Sequence, residues 1–291
     1  MLKITGDILK YPQFQGEEMK TITKYRLFNP YVLLTIFTLF ASLLISWAFE
    51  SEFINILFFM DYHAEDLIGN PSEIRRAFLW QIATWEVYID TAMSYLVHFM
   101  PIFASLPILA FSKELQSYFD HGRTRFSSLT KEKWKGVLSY SFIAGLSISL
   151  AFTLFFLIGS FYMIPSIENI GGFASIFPNN FYNDYPLLFF LFMTWTAYFG
   201  FGFSFGFLAC GIAIWTEKNY YILLIPMLYY FIANYISAMF FGLLPLHVSA
   251  VIVAFNTLYG TSETFVPLFP ILALGILLVA SGIKKTSRIP L

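Results

Sequence analysis

The side chains that could carry acid–base, nucleophilic or metal chemistry are few and scattered along this chain. Histidines occur only at positions 63, 98, 121 and 247, and Cys210 is the single cysteine. A metal site would need ligands from distant parts of the sequence, so we predict no metal. The sequence contains no GxxxxGK[ST] phosphate loop, no HExxH zinc helix and no GxSxG nucleophile elbow. We therefore predict no catalytic residue and no ATPase motif in this chain.

Three ionisable side chains lie inside or beside one long apolar stretch. His98 lies deep within the stretch, where it could relay protons or be a neutral ring hydrogen-bonded to a neighbouring helix. Glu86 and Asp90 lie four residues apart at the predicted outer end of this stretch, and we expect both carboxylates to be solvated. Because proton-driven carriers place more ionisable groups within their spans, this pattern disfavours a secondary carrier.

The apolar stretches predict the fold class. Of 291 residues, 58% are hydrophobic and 12% are charged, a balance that one soluble core of this size could not bury. A helix needs about 20 apolar residues to cross a bilayer, and the stretches lack the alternation of barrel strands. We predict an all-α polytopic membrane protein, a single transmembrane domain over residues 1–291. Its six transmembrane helices are expected at about 31–49, 91–111, 137–162, 187–215, 220–241 and 266–283.

The lysines and arginines predict the orientation of these helices. Segments 1–30, 112–136, 216–219 and 284–291 hold 15 basic residues, whereas the other three loops hold only Arg75 and Arg76. Because loops rich in lysine and arginine stay cytoplasmic, both termini are predicted to be cytoplasmic. Eleven carboxylates fall on the predicted outer side, so a net charge of -1 conceals a strong polarity.

Three segments outside the predicted helices are distinctive. Residues 1–30 mix apolar and basic side chains, which predicts a cytoplasmic amphipathic helix that binds lipid headgroups or a soluble subunit. Residues 111–136 mix charges with aromatic side chains, as expected of a docking surface or of an ordinary basic loop. Residues 242–264 are too apolar for a free loop and too interrupted for a full span, which predicts an outer re-entrant segment.

Residues 200–206 read GFGFSFG within the fourth predicted helix. Gly202 and Gly206 form a small-xxx-small face, which lets another helix approach closely. Glycines surrounded by phenylalanines in hydrocarbon are packing devices, so we predict a helix-packing role and no nucleotide loop for this pair.

The layout of six helices, with a charged segment between the second and third, resembles a known family. Residues 99–110 read FMPIFASLPILA, followed by Lys113-Glu114 and by the basic stretch 131–135. This arrangement is similar to ATP-binding-cassette (ABC) exporter permeases of the second structural type, ABC-2-like, in a mainly Gram-positive bacterial subgroup. Trp134 stands where that subgroup usually has tyrosine, and the motif similarity covers residues 99–148.

The resemblance implies a permease subunit in the plasma membrane, surrounded by lipid and binding no nucleic acid. Two permease chains, identical or related, would bind two cytoplasmic nucleotide-binding ATPase subunits, and those subunits would bind ATP and Mg. The cargo would be a peptide, a lipid-like molecule or a drug, with its binding residues unknown. The segment 111–136 would be the cytoplasmic coupling segment. The residues implied to couple it to the ATPase are Glu114, Tyr118, Phe119, Arg123, Arg125 and Trp134.

Two alternatives remain open from the residues themselves. An ATP-independent membrane protein that binds peptides or confers immunity could use the acidic outer loops to concentrate cationic peptides. An intramembrane enzyme could pair His98 with Ser94 or Ser105, although neither spacing nor context favours such a pair.

Overall fold

The computed structural model describes residues 26–64, 67, 69–116, 129–164, 171–178, 181–240 and 242–286. Within these ranges the chain is helical, without a strand, and its one isolated bridge joins Thr84 to Ile164. Six helices are long and apolar enough to cross a membrane, so the predicted all-α, multi-pass membrane fold is confirmed. In chain order these first to sixth spans are Pro30–Glu50, Leu96–Glu114, Leu129–Gly159, Pro186–Trp215, Asn219–Met239 and Thr261–Lys285.

The first span begins where its sequence predicts. The side chain of Asn29 accepts a hydrogen bond from the backbone nitrogen of Tyr31 at 3.0 Å, and Pro30 occupies the first helical position. This arrangement satisfies a backbone donor that the helix itself cannot pair.

The fourth span is the centre of the bundle. In its most apolar stretch 78% of the residues are buried, against 22% in the first span and 28% in the fifth. The third and sixth spans pack along the fourth, with the fifth beside it. The exposed faces of the first and fifth spans carry large apolar side chains, as expected of helices surrounded by lipid.

The third span is longer than predicted because it begins at Leu129 rather than near residue 137. The added residues include Lys131, Lys133 and Lys135, whose charges do not fit an apolar window. A helix of 31 residues is about 46 Å long at 1.5 Å per residue. Since the hydrocarbon core is about 30 Å thick, roughly 15 Å of a helix of this length would extend beyond it if the helix stood upright in the bilayer.

The stretch before the second span also differs from the prediction. The structure has a separate helix at Trp85–Met93, a turn at Ser94 and Tyr95, and then the span itself. A further helix, Pro71–Ile82, lies where none is predicted. Asn70 caps that helix by accepting from the Ser72 nitrogen at 3.1 Å, the same Asn-Pro signal that begins the first span.

The interrupted segment predicted at 242–264 is present as a series of short helical turns. They are Leu244–Leu246, Ser249–Ile252, Ala254–Asn256 and Thr261–Thr264, the last of which continues into the sixth span. Ala250, Val251 and Ile252 are fully buried, so this irregular backbone is covered by protein. On the fifth span, Asn234 Oδ1 accepts from both the nitrogen and the hydroxyl of Ser249, each at 2.9 Å.

Replacing Asn234 with leucine is expected to loosen the segment 243–260. Losing two hydrogen bonds at about 1 kcal/mol each should increase local amide exchange roughly 30-fold. Hydrogen-exchange mass spectrometry on the purified protein measures this. The matched control is Tyr235→Leu, the next residue of the same helix, whose side chain is exposed and should leave exchange unchanged. Equal exchange in both variants would contradict the anchoring role of Asn234.

Candidate functional site

The bundle has two chemically different ends. At one end, Gln116 Nε2 donates to the Glu217 carbonyl at 3.3 Å, and Lys285 Nζ lies 4.8 Å from the centre of the Trp215 ring. We name this the basic end, because it joins the loops that hold most lysines and arginines. We name the opposite end the acidic end, because it holds Glu86 and most other carboxylates.

A charged cluster at the basic end ties the first three spans together. Arg26 Nη2 pairs with Glu114 Oε1, and Arg26 Nε donates to Glu114 Oε2 at 3.1 Å. The Tyr140 hydroxyl donates to the same Oε2 at 2.8 Å, and the Arg26 guanidinium lies 5.3 Å from the centre of the Tyr140 ring. We name these three residues the Glu114 cluster.

The Glu114 cluster is largely buried. The side chains of Arg26 and Glu114 are 12% and 13% exposed, and Tyr140 is 1% exposed. A bidentate arginine–carboxylate contact with an added hydroxyl donor fixes both the distance between the side chains and their relative orientation. Glu114 is in the last turn of the second span, Tyr140 is in the third, and Arg26 lies just before the first. The cluster therefore holds three spans in one register, two residues before Gln116, where the described part of the second span's end stops.

Apolar and aromatic contacts surround the cluster. The Phe111 ring packs 5.4 Å from the Tyr140 ring, and Lys113 Nζ lies 4.9 Å from the centre of the Tyr31 ring.

Known proteins do not identify the site. No protein-family model, curated protein or solved structure matches this chain. The cluster's arginine, carboxylate and tyrosine hydroxyl connect residues from three parts of the chain.

Two of the predicted coupling residues are described, and both face the bundle. Glu114 belongs to the cluster, and Trp134, near the start of the third span, packs 6.2 Å from the Phe207 ring of the fourth span. The other four lie outside the described residues: Tyr118, Phe119, Arg123 and Arg125.

Arg26 and Tyr140 belong to the cluster, although no coupling role is predicted for either from the sequence. Arg26 lies 88 residues before Glu114, and nothing in either local pattern indicates the pair. The one available signal is positional: a lone carboxylate ends the second span, and an arginine precedes the Asn29 cap of the first.

Gly202 and Gly206 lie against the third span. A Cβ atom on Gly202 would come within 2.8 Å of the Gly145 Cα atom, and one on Gly206 within 2.7 Å of the Ala144 Cβ atom. The third and fourth spans therefore approach each other more closely than side chains on these glycines would allow.

The remaining candidate residues are dispersed. Asp90 is exposed, as expected, whereas the prediction that the Glu86 carboxylate is solvated is wrong, because its Oε2 atom is buried. The His98 ring is on the exposed face of the second span and stacks at 6.1 Å on Phe231 of the fifth span. Cys210 is fully buried in the fourth span, as expected of a residue that packs.

Proposed function

We propose that this chain is the membrane-spanning permease subunit of an ATP-driven exporter of the ABC-2-like class, in a bacterial plasma membrane. The observation that carries the proposal is the Glu114 cluster. A separate ATPase can drive transport only if its movement reaches the spans, and the cluster joins three of them where the candidate docking segment begins.

The described residues on both sides of segment 117–128 are firmly held. On one side, Glu114 is fixed by Arg26 and Tyr140. On the other side, Leu129 begins a continuous helix that runs through the bundle to Gly159. A displacement of the segment would therefore move packed helices as rigid bodies, which is how packed bundles switch between two states.

The extension of the third span supplies a second supporting observation. Because roughly 15 Å of an upright helix of this length would extend beyond the hydrocarbon, its first turns would be within reach of a soluble partner. Glu132 and Lys135 form an exposed ion pair at 2.7 Å on this extension. The Trp134 ring packs against Phe207 of the fourth span, so the extension combines an exposed ion pair with an aromatic contact to the bundle.

In this proposal the partner supplies the chemistry. Two cytoplasmic ATPase subunits bind ATP and Mg, and a second permease chain, identical or related, completes the path. The cargo is a peptide, a lipid-like molecule or a drug. The first and fifth spans, whose apolar faces are exposed, are the surfaces available to that second chain or to lipid.

The proposal is tested by gentle affinity purification of the tagged chain from its native membrane, followed by mass spectrometry and an ATP hydrolysis assay. We expect a stoichiometric soluble subunit with a phosphate loop and vanadate-sensitive hydrolysis. The double variant R123A/R125A should recover at least tenfold less of that subunit, whereas R75A/R76A, which removes two arginines at the acidic end, should recover as much as wild type. A chain that emerges alone under conditions that preserve known transporter complexes would overturn the proposal.

A second candidate function is an ATP-independent peptide-binding or immunity protein. The observation that favours it is the exposed acidic surface. Described carboxylates there that are open to solvent are Glu50, Glu52, Asp61, Glu73, Asp90, Asp184 and Glu263. Such a surface would concentrate cationic peptides whether or not ATP is used. Purification of the chain without an ATPase, but with retained binding of a cationic peptide, would favour this second function.

A further inference from the structure

One carboxylate at the acidic end is only half satisfied. Glu86 Oε1 accepts a hydrogen bond from the Tyr182 hydroxyl at 2.6 Å. Glu86 Oε2 is buried and has no hydrogen-bond partner among the residues that the structure describes. Burying a carboxylate oxygen without a partner costs several kcal/mol, so such an atom needs an explanation.

The tyrosine that donates to Glu86 belongs to an aromatic cluster. The Tyr182 ring packs 5.4 Å from the Phe189 ring and 5.8 Å from the Phe190 ring. Trp85, the residue before Glu86, stacks on Phe190 at 5.2 Å. A carboxylate held by a tyrosine of an aromatic cluster suits an organic cation, because the negative charge and the ring quadrupole both attract positive charge.

The chain itself offers few cations to this carboxylate. Arg75 and Arg76 are the only lysines or arginines in the loops of the acidic end. Both are exposed, and Arg75 Nη2 donates to the Leu57 carbonyl at 3.2 Å. Among the described residues, neither contributes a hydrogen bond to Glu86.

We propose that Glu86 and Tyr182 form a binding site for an organic cation that carries apolar groups, such as a guanidinium or ammonium within a hydrophobic molecule. Oε2 of Glu86 is the ion-pairing atom, the Tyr182 hydroxyl holds the carboxylate through Oε1, and the Tyr182 ring contacts the apolar part of the ligand. The exposed carboxylates of the acidic end raise the local concentration of such cations. Assigning the site to the exported cargo rests on the proposed function, whereas the site itself does not.

The test uses the purified full chain in a neutral detergent, without ATP or any ATPase, so its result is independent of the exporter proposal. Radiolabelled tetraphenylphosphonium is the probe, and tetraphenylborate, of the same shape and opposite charge, is its counterpart. Equilibrium dialysis measures the binding of each, with a detergent-only blank. Glu86→Gln removes the charge, Tyr182→Phe removes the hydroxyl, and Asp90→Asn is the matched control, one helical turn away on the same helix.

Wild type and Asp90→Asn are expected to bind tetraphenylphosphonium at least tenfold more tightly than Glu86→Gln. Tyr182→Phe should bind it more weakly than wild type but more tightly than Glu86→Gln, because it keeps the carboxylate and loses the hydroxyl that holds it. Tetraphenylborate uptake should not fall in Glu86→Gln. Equal tetraphenylphosphonium binding by wild type and Glu86→Gln, both giving the same gel-filtration peak, would overturn the proposal.

Discussion

Replacing Glu114 with alanine is expected to destabilise the protein by about 3–5 kcal/mol. The substitution would leave the Arg26 guanidinium without its carboxylate in a site where that side chain is only 12% exposed. Removing one member of a largely buried ion pair has this cost because the remaining charge loses that favourable interaction and stays largely desolvated. The Tyr140 hydroxyl, also buried, would lose its acceptor at the same time.

Reversible unfolding in mixed detergent micelles measures this loss, and the chain provides a matched control. Glu132 also pairs with a basic residue, Lys135, but their side chains are 33% and 52% exposed. Exposed ion pairs contribute about 0–1 kcal/mol, so Glu132→Ala should change the free energy of unfolding little. Equal losses for Glu114→Ala and Glu132→Ala would contradict the buried role of the Glu114 cluster.

A double variant separates the cost of a lone charge from the loss of packing. In Arg26→Met with Glu114→Leu, no charge remains to be buried, so we expect stability well above that of Glu114→Ala alone. If the cluster also couples the ATPase to the spans, this apolar pair should fold while stimulated ATP hydrolysis no longer drives transport. Folding and coupling are thus measured independently.

The sequence predicts the bounds of a span well where the helix begins and ends together with the apolar stretch. The first and fourth predicted helices, 31–49 and 187–215, match Pro30–Glu50 and Pro186–Trp215 closely. The third does not, because its first turns carry three lysines that an apolar window excludes, although a helix can continue into water. The helix Pro71–Ile82 is too short and too polar for a transmembrane window, although its Asn-Pro cap indicates a helix start.

The two polar sites could not be predicted because each depends on a long-range pairing. Arg26 and Glu114 are 88 residues apart, and Glu86 and Tyr182 are 96 apart. The local sequence pattern around a carboxylate at a helix end is the same whether the side chain faces water or a buried partner. Asp90, near Glu86 in sequence and exposed, shows that burial here is decided by packing rather than by local pattern.

Substituting alanine at Gly202 is expected to destabilise the bundle by about 2–3 kcal/mol, although alanine favours helices over glycine by about 1 kcal/mol. The new Cβ would lie 2.8 Å from the Gly145 Cα atom and 3.0 Å from the Ala144 carbonyl oxygen, and backbone cannot move aside. Gly200→Ala is the control, because its new Cβ would meet only the end of the Leu268 side chain at 3.0 Å. Unfolding measurements should find Gly200→Ala neutral or slightly stabilising, and equal effects at both glycines would contradict close packing at Gly202.

Gly206 allows the same contact to be tested by rescue. A Cβ on Gly206 would lie 2.7 Å from the Ala144 Cβ atom, with the next contact at 3.3 Å. Removing the Ala144 methyl should therefore relieve Gly206→Ala, giving a favourable coupling energy of about 1–2 kcal/mol in the double variant. Ala144→Gly should not rescue Gly202→Ala, because the obstructing atoms there belong to the backbone. A rescue specific to Gly206 would show that the third and fourth spans meet through these atoms, since a general loosening of the bundle would relieve both substitutions alike.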